Sequence, residues 1–362
     1  MDLVPTYIER LVAYAPGKPV EELERELGIH GAVKLASNES PLGPSPAVKE
    51  AIARAASEVH RYPDAGTYAL RHDLARHHDV RPDEVCIGNG SNELIDMICR
   101  TFASPADHGV FGDPSFVCYW LGLTAANVPF TKVPLRDHLA WDVDALLGAV
   151  RPQTRVLFVA NPNNPSGDHI GRAELRRLLE SLPQHVVAVV DEAYFHFPDA
   201  PDYASALELR SSRERLVVLR TFSKAYGIAG LRVGYAIAPA RIIDYLNRVR
   251  PPFNANLVAQ QAARAALADQ AHVARYVEMN RTERARLVPA LEALGLTVAP
   301  SQANFVLADF GQPGTQVYER LLRMGVIIRP MPPPIETWLR ITVGLPEENE
   351  RLLEAIRQLR SM

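Results

Sequence analysis

The 362-residue chain has little cysteine, little lysine, no excess of positive charge and no long apolar run. Its three cysteines (Cys86, Cys99, Cys118) cannot all pair with one another and show no CxxC spacing. That suits a reducing, cytoplasmic compartment and gives no zinc ribbon or other metal site. With 39 Lys+Arg against 42 Asp+Glu, no basic surplus draws a nucleic-acid backbone. The longest strongly apolar runs are about strand length, well short of the ~18 residues needed to cross a bilayer. The first residues lack the basic segment and apolar core of a secretory signal, so neither membrane nor nucleic acid is an expected partner. Only five residues are lysine (Lys18, Lys34, Lys49, Lys132, Lys224) among the 39 basic ones. A lysine in an unusual setting is therefore conspicuous.

At ~100–200 residues per domain, the length predicts two domains or three. Residues 1–40 read as an arm, broken by Pro5, Pro16 and Pro19 and leaving room for a short helix over Glu21 to Leu27. A helix begins near Val48. Beyond residue 85 short β-rich runs alternate with helical patterns: Val85–Ile87, Val110–Phe111, Val128–Val133, Arg155–Ala160, Val186–Val190, Leu216–Leu219 and Val233–Ile237. Val186-Val-Ala-Val-Val190 is apolar throughout, as in a strand covered on both faces, so the class is α/β with a mostly parallel sheet sandwiched by helices. Residues 41–250 form the expected large domain. From 251 to 362 the texture changes to a long helix over Val258 to Leu294, short strands at Asn304–Leu307, Val326–Arg329 and Leu339–Val343, and a final helix. This reads as a smaller α+β domain.

In such sheets ligands sit beyond the carboxyl ends of the strands, and four polar clusters fall there. Lys224, in Thr221-Phe-Ser-Lys-Ala-Tyr-Gly-Ile-Ala-Gly-Leu-Arg232, follows a strand; partial desolvation and the cation of Arg232 would lower its pKa and suit Schiff-base chemistry. The alternative is a lysine that merely ends a sheet edge. Asp191 ends the apolar strand, where a lone carboxylate needs a partner: a protonated ring nitrogen, a helix cap or a salt bridge. Tyr194 lies three residues on. Asn164, in Asn161-Pro-Asn-Asn-Pro-Ser-Gly167, could bond a ring oxygen or simply belong to a turn. Ile87-Gly-Asn-Gly-Ser-Asn-Glu offers backbone N–H groups to an anion. Glu93, where a third glycine would stand, makes a cup for one phosphate more economical than a dinucleotide site. Arg329 and Arg340 each sit on a β-rich run and could clamp an anion. The pair His77-His78 reads as solvated.

As an ordered set, these residues resemble the fold-type I pyridoxal-phosphate enzymes, and within them the class I/II aminotransferases. The resemblance covers almost the whole chain, with spacings Asn164–Asp191 of 27, Asp191–Tyr194 of 3 and Lys224–Arg232 of 8. It implies pyridoxal 5′-phosphate bound covalently by Lys224, with Asp191 pairing its ring nitrogen and Asn164 and Tyr194 its ring oxygen. It further implies that Ser91, Asn92, Ser223 and Arg232 hold the phosphate and that Tyr119 stacks on the ring. Tyr62 would reach the phosphate of a neighbouring subunit, implying a homodimer with shared sites and an arm packed on the small domain or the partner. Arg340 would bind the carboxylate of glutamate or 2-oxoglutarate, and Tyr14, Asn38 and Arg329 the rest of the substrate. The implied reaction moves an amino group from histidinol phosphate to 2-oxoglutarate in histidine biosynthesis; aromatic amino acids are the alternative donors, and a non-catalytic cofactor-binding regulator the alternative class. Two segments depart from the family pattern: the proline-rich Pro330–Trp338, expected on the substrate side, and Pro252-Phe-Asn-Ala-Asn, where a tyrosine is common.

Overall fold

The computed structural model describes residues 3–13 and 17–361. Its centre is a seven-stranded sheet: β1 (Val85–Gly88), β2 (His108–Asp113), β3 (Phe130–Pro134), β4 (Thr154–Ala160), β5 (Val187–Asp191), β6 (Leu216–Thr221) and β7 (Gly234–Ile237). The order across the sheet is β1-β7-β6-β5-β4-β2-β3. β7 runs antiparallel to both its neighbours, while the pairs from β6 to β3 are parallel. All seven strands lie where the β-rich runs predict them. β5 and β6 are buried along their full length, which explains their unbroken apolar sequence.

Helices cover the sheet. α1 (Pro46–Ala56) is capped by the Ser45 side chain, and α2 (Tyr68–His78) ends against the sheet. α3 (Ser91–Phe102) follows β1, and α4 (Val117–Ala125) follows β2. The single helix expected over Val258 to Leu294 is two, α5 (Leu257–Ala268) and α6 (Gln270–Ala293), because Asp269 leaves helical geometry and caps α6 through the His272 N–H. α5 packs on α1, and its buried alanines join the core of the large sheet.

A second sheet contains β8 (Thr297–Ala299), β9 (Phe305–Asp309), β10 (Arg329–Pro330) and β11 (Trp338–Thr342), in the antiparallel order β10-β11-β9-β8. The strand expected over Val326–Arg329 is divided. Val326–Ile327 pairs with Val33–Lys34 of the arm, and Arg329 begins β10. Arm residue Leu35 is buried in the core of this smaller lobe, and Leu23 and Ala36 pack with Ile327.

The polar pair beside Asp191 is the main surprise in the large lobe. Glu192 is fully buried and accepts hydrogen bonds from Arg220 Nε (3.0 Å) and Nη2 (2.8 Å), from Ser205 Oγ (2.9 Å) and from the Ala206 N–H (2.6 Å). The Arg220 guanidinium lies 3.7 Å from the Phe195 ring centre and reaches His78 Nδ1 at 3.1 Å. His78, read from the sequence as solvated, is drawn in by this contact and by the Tyr235 hydroxyl at 2.8 Å. Burial and Arg220 push it down to about 2, so it stays a neutral ring.

Removing one member of a buried pair strands the other charge, typically at about 3–5 kcal/mol. Glu192→Leu should therefore lower the unfolding free energy of the cofactor-free protein by that order in a urea titration. The double variant Glu192→Leu/Arg220→Met should recover much of the loss. Equal midpoints for Glu192→Leu and wild type would show that the pair contributes nothing.

Candidate active site

β1, β4, β5 and β6 all end at one edge of the sheet, and β7, being reversed, starts there. A cavity of about 550 Å³ opens at this edge. It is lined from the large lobe by Ser91, Asn92, Tyr119, Asn164, Asp191, Tyr194, Ser223, Lys224 and Arg232, from the arm by Asn38, and from the smaller lobe by Arg329 and Arg340. The structure thus brings together twelve of the fourteen residues singled out from the sequence. Tyr14 lies outside the described residues. Tyr62 is absent from this cavity: it is 82% exposed and stacks on Phe253, with ring centres 4.6 Å apart.

Lys224 Nζ donates to the Ser37 carbonyl at 3.0 Å and sits 5.8 Å from the centre of the Tyr194 ring. Burial, then the Arg340 guanidinium, pushes its amine down to about 7, leaving a nucleophile present near neutrality. At the cavity floor Asp191 is 3% exposed. Burial pushes its carboxyl up to about 6, against the Tyr119 hydroxyl, which donates to Oδ2 at 2.9 Å, and the Ala193 N–H, which donates to Oδ1 at 3.2 Å. An acid in this position is stabilised by any cation brought to it.

Tyr119, expected to stack on the cofactor ring, lines the cavity. It is fully buried, one face is stacked on Phe158 at 4.9 Å, and its hydroxyl is committed to Asp191. The aromatic with surface to spare is Phe116, one helical turn earlier, half-buried on the cavity wall. Sequence reading missed it although the spacing of three in Phe116-Val-Cys-Tyr119 places both on one side of a helix start.

The phosphate-sized cup is built by close backbone approach. Gly90, at φ +76°, precedes the amino end of α3, and a Cβ there would stand 2.5 Å from Arg232 Nη2. A Cβ on Gly234 would meet the Ser91 nitrogen at 2.4 Å. Thr221 Oγ1 donates to Ser223 Oγ at 3.0 Å, and Arg232 Nη1 approaches that oxygen at 3.5 Å. Helix N–H groups, two hydroxyls and a guanidinium converge, which is the chemistry a phosphate monoester requires.

On the other side Arg340 and Arg329 are register partners on β11 and β10. Arg340 Nη1 donates to Asn164 Oδ1 at 2.6 Å and Nη2 to the Ala36 carbonyl at 2.7 Å. Asn38 Nδ2 donates to the Tyr194 hydroxyl at 3.0 Å while its Oδ1 accepts from Thr342 Oγ1 at 3.1 Å, so its side chain braces arm, large lobe and small lobe. The proline-rich segment, expected along the substrate side, folds elsewhere. Met331 and Ile335 are buried with Ala299 and Leu307 against Leu139, and only the flanking Arg329 and Arg340 reach the cavity. Among the described residues no group of three or more His, Cys, Asp or Glu side chains is arranged to hold a metal ion.

The model of the family described as aminotransferase class I and II matches residues 31–356. A histidinol-phosphate aminotransferase of Anaeromyxobacter sp. (strain Fw109-5) is 46% identical, covering 99% of both chains. The corresponding protein of Moorella thermoacetica is 42% identical over 96% of this chain and 90% of its own. The crystal structure of histidinol-phosphate aminotransferase from Sinorhizobium meliloti in complex with pyridoxal-5′-phosphate superposes with a TM-score of 0.89 at 29% identity, covering 99% of each chain. The chain belongs to the class I and II aminotransferases.

Burial raises the folded-state pKa of Asp191, so between about pH 4 and pH 6 the cofactor-free folded state holds more protons than the unfolded one. Its contribution to stability falls as pH rises through that window. Cofactor-free Asp191→Asn should therefore be more stable than wild type at pH 8, by about 3 kcal/mol for a shift of this size. The gain should shrink below pH 6 and vanish below pH 4, read from urea midpoints across pH. A wild type as stable as the variant at pH 8 would show that the carboxylate carries no such strain.

Proposed function

We propose that this enzyme transfers the amino group of histidinol phosphate to 2-oxoglutarate, giving imidazole-acetol phosphate and glutamate, with pyridoxal 5′-phosphate as its cofactor. The observation that carries the reading is one cavity holding an amine depressed to about 7, a buried acid and two register-paired arginines. Full-length identity to proteins named for this activity supports the substrate.

Bound pyridoxal phosphate supplies an electron sink and a temporary carrier for the amino group. The remaining work falls to the chain. Ser91, Asn92, Ser223 and Arg232 bind the cofactor phosphate at the amino end of α3. Asp191 holds a proton on the ring nitrogen, and Tyr119 fixes the rotation of that carboxylate. Asn164 and Tyr194 bond the ring oxygen, Asn38 keeps the Tyr194 hydroxyl in place, and Phe116 covers a ring face. Lys224 Nζ removes and returns the proton at the donor Cα, a task suited to a base poised near the working pH. Arg340 binds the carboxylate of glutamate and 2-oxoglutarate. Arg329, on the neighbouring strand, takes the distal anion: a phosphate on one substrate, a second carboxylate on the other.

Tyr62 and Phe253 form an exposed aromatic pair outside the cavity, which supports a homodimer in which Tyr62 reaches the partner's cofactor phosphate. We place the arm over 1–40 and begin the large lobe at 41; its core runs on past 250 through α5 and the start of α6, and the small lobe takes the rest of 251–362. The three cysteines are free thiols, which supports a reducing cytoplasm. No helix among the described residues is long and apolar enough to cross a membrane.

Purified holoenzyme should be yellow, and Lys224→Ala should lose the colour change on adding amino donor together with all but a trace of turnover; a transaminating Lys224→Ala would overturn the assignment. With 2-oxoglutarate as acceptor, kcat/KM should be far higher for histidinol phosphate than for phenylalanine or tyrosine. Arg329→Ala should cost the phosphorylated donor at least ~10-fold more than the other two, as expected for a lost charge-assisted pair. Equal losses on all three donors would place the distal anion elsewhere. Mixing inactive Lys224→Ala with Tyr62→Ala should restore activity above either alone if sites are shared between subunits.

A further inference from the structure

Asp191 has a role at the cavity floor. The cavity has a second carboxylate, Glu39, that none of the steps above employs. Asn38, at φ +55°, turns the chain just before it. Lys34 Nζ lies 3.1 Å from Glu39 Oε2 and 3.3 Å from Oε1, the Glu39 side chain is about half exposed, and its charge is felt at Lys224, where it opposes the effect of Arg340. An ionised carboxylate has about four acceptor positions and no donor, and one lysine fills only part of them. Two arginines in the same cavity accept anions; this group accepts N–H.

Given the proposed reaction, we infer that Glu39 is a specificity-determining residue that accepts an N–H from the imidazole ring of the donor. An imidazole keeps at least one N–H in either of its common charge states, whereas a phenyl ring has none and would leave the carboxylate facing an apolar edge. Arg329 then reads the phosphate and Glu39 the ring, so the two ends of one small molecule are recognised by opposite charges. A carboxylate that bonds a substrate N–H favours that donor over an analogue whose ring offers none.

The test compares two donors that share the phosphate and differ in the ring: histidinol phosphate and 2-amino-3-phenylpropyl phosphate, each with saturating 2-oxoglutarate and holoenzyme. The ratio of their kcat/KM values should fall by roughly 10–100-fold in Glu39→Ala, the loss expected of one hydrogen bond to a charged group. Glu39→Gln, whose amide oxygen still accepts, should recover part of it. A residue with only a structural role would depress both donors alike and leave the ratio untouched, and that result overturns the inference. A wild-type enzyme that turns over neither phosphate ester faster than phenylalanine overturns the proposed reaction, and this inference with it. A preference for phosphate esters that ignores Glu39 overturns this inference alone.

Discussion

The organising constraint is a carboxylate sunk at the end of a strand that is buried on both faces. Asp191 has two hydrogen bonds, from the Tyr119 hydroxyl and the Ala193 N–H, and no ion pair among the described residues. Burial raises its pKa, so in the absence of a cation the site opposes its own ionisation. Bringing a protonated ring nitrogen to it relieves that conflict. Two opposite charges ~4 Å apart at an effective dielectric of 20 attract by roughly 4 kcal/mol, which is about three pKa units. In the proposed reading, the same energy that would hold the cofactor would keep its ring charged.

Asp191 and Glu192 are chain neighbours with opposite fates. One faces the cavity without a counter-ion, while the other is enclosed by Arg220, Ser205 and the Ala206 N–H. Their side chains part because Glu192, one residue past β5, still donates its N–H to the Leu219 carbonyl of β6 and so keeps the alternation of a strand. The satisfied network on one face pins β5 to β6, and so holds steady the strand ends from which Asp191 and Lys224 project. Rigidity on one side supports reactivity on the other.

Much of this was legible in the sequence. The sheet could be read because its strands are short β-rich runs, unbroken apolar ones at its centre, and Lys224 and Asp191 because their chemistry is out of place at a buried strand end. What escaped was whatever depends on three-dimensional neighbours. Tyr119 and Phe116 are both aromatic and three residues apart, and only the fold shows that Tyr119 lies on Phe158 and bonds Asp191 while Phe116 stays half-buried. His78 looks like a polar helix end until Arg220 and Tyr235, more than 140 residues away in the chain, are seen to enclose it. Met331 and Ile335 sit in a proline-rich stretch whose composition says loop, but they bury themselves against Leu139 and leave the cavity to the arginines on either side.

The two-residue pairing of Val33–Lys34 with Val326–Ile327 ties the arm to the smaller lobe, and three residues later the same arm offers the Ser37 carbonyl to Lys224. Arg340, on that lobe, grips the Ala36 carbonyl as well. The strip of chain that bonds the Lys224 amine is therefore fastened to the very body that carries Arg329 and Arg340. A tilt of that body would carry the Ser37 carbonyl with it and change its distance to the Lys224 amine.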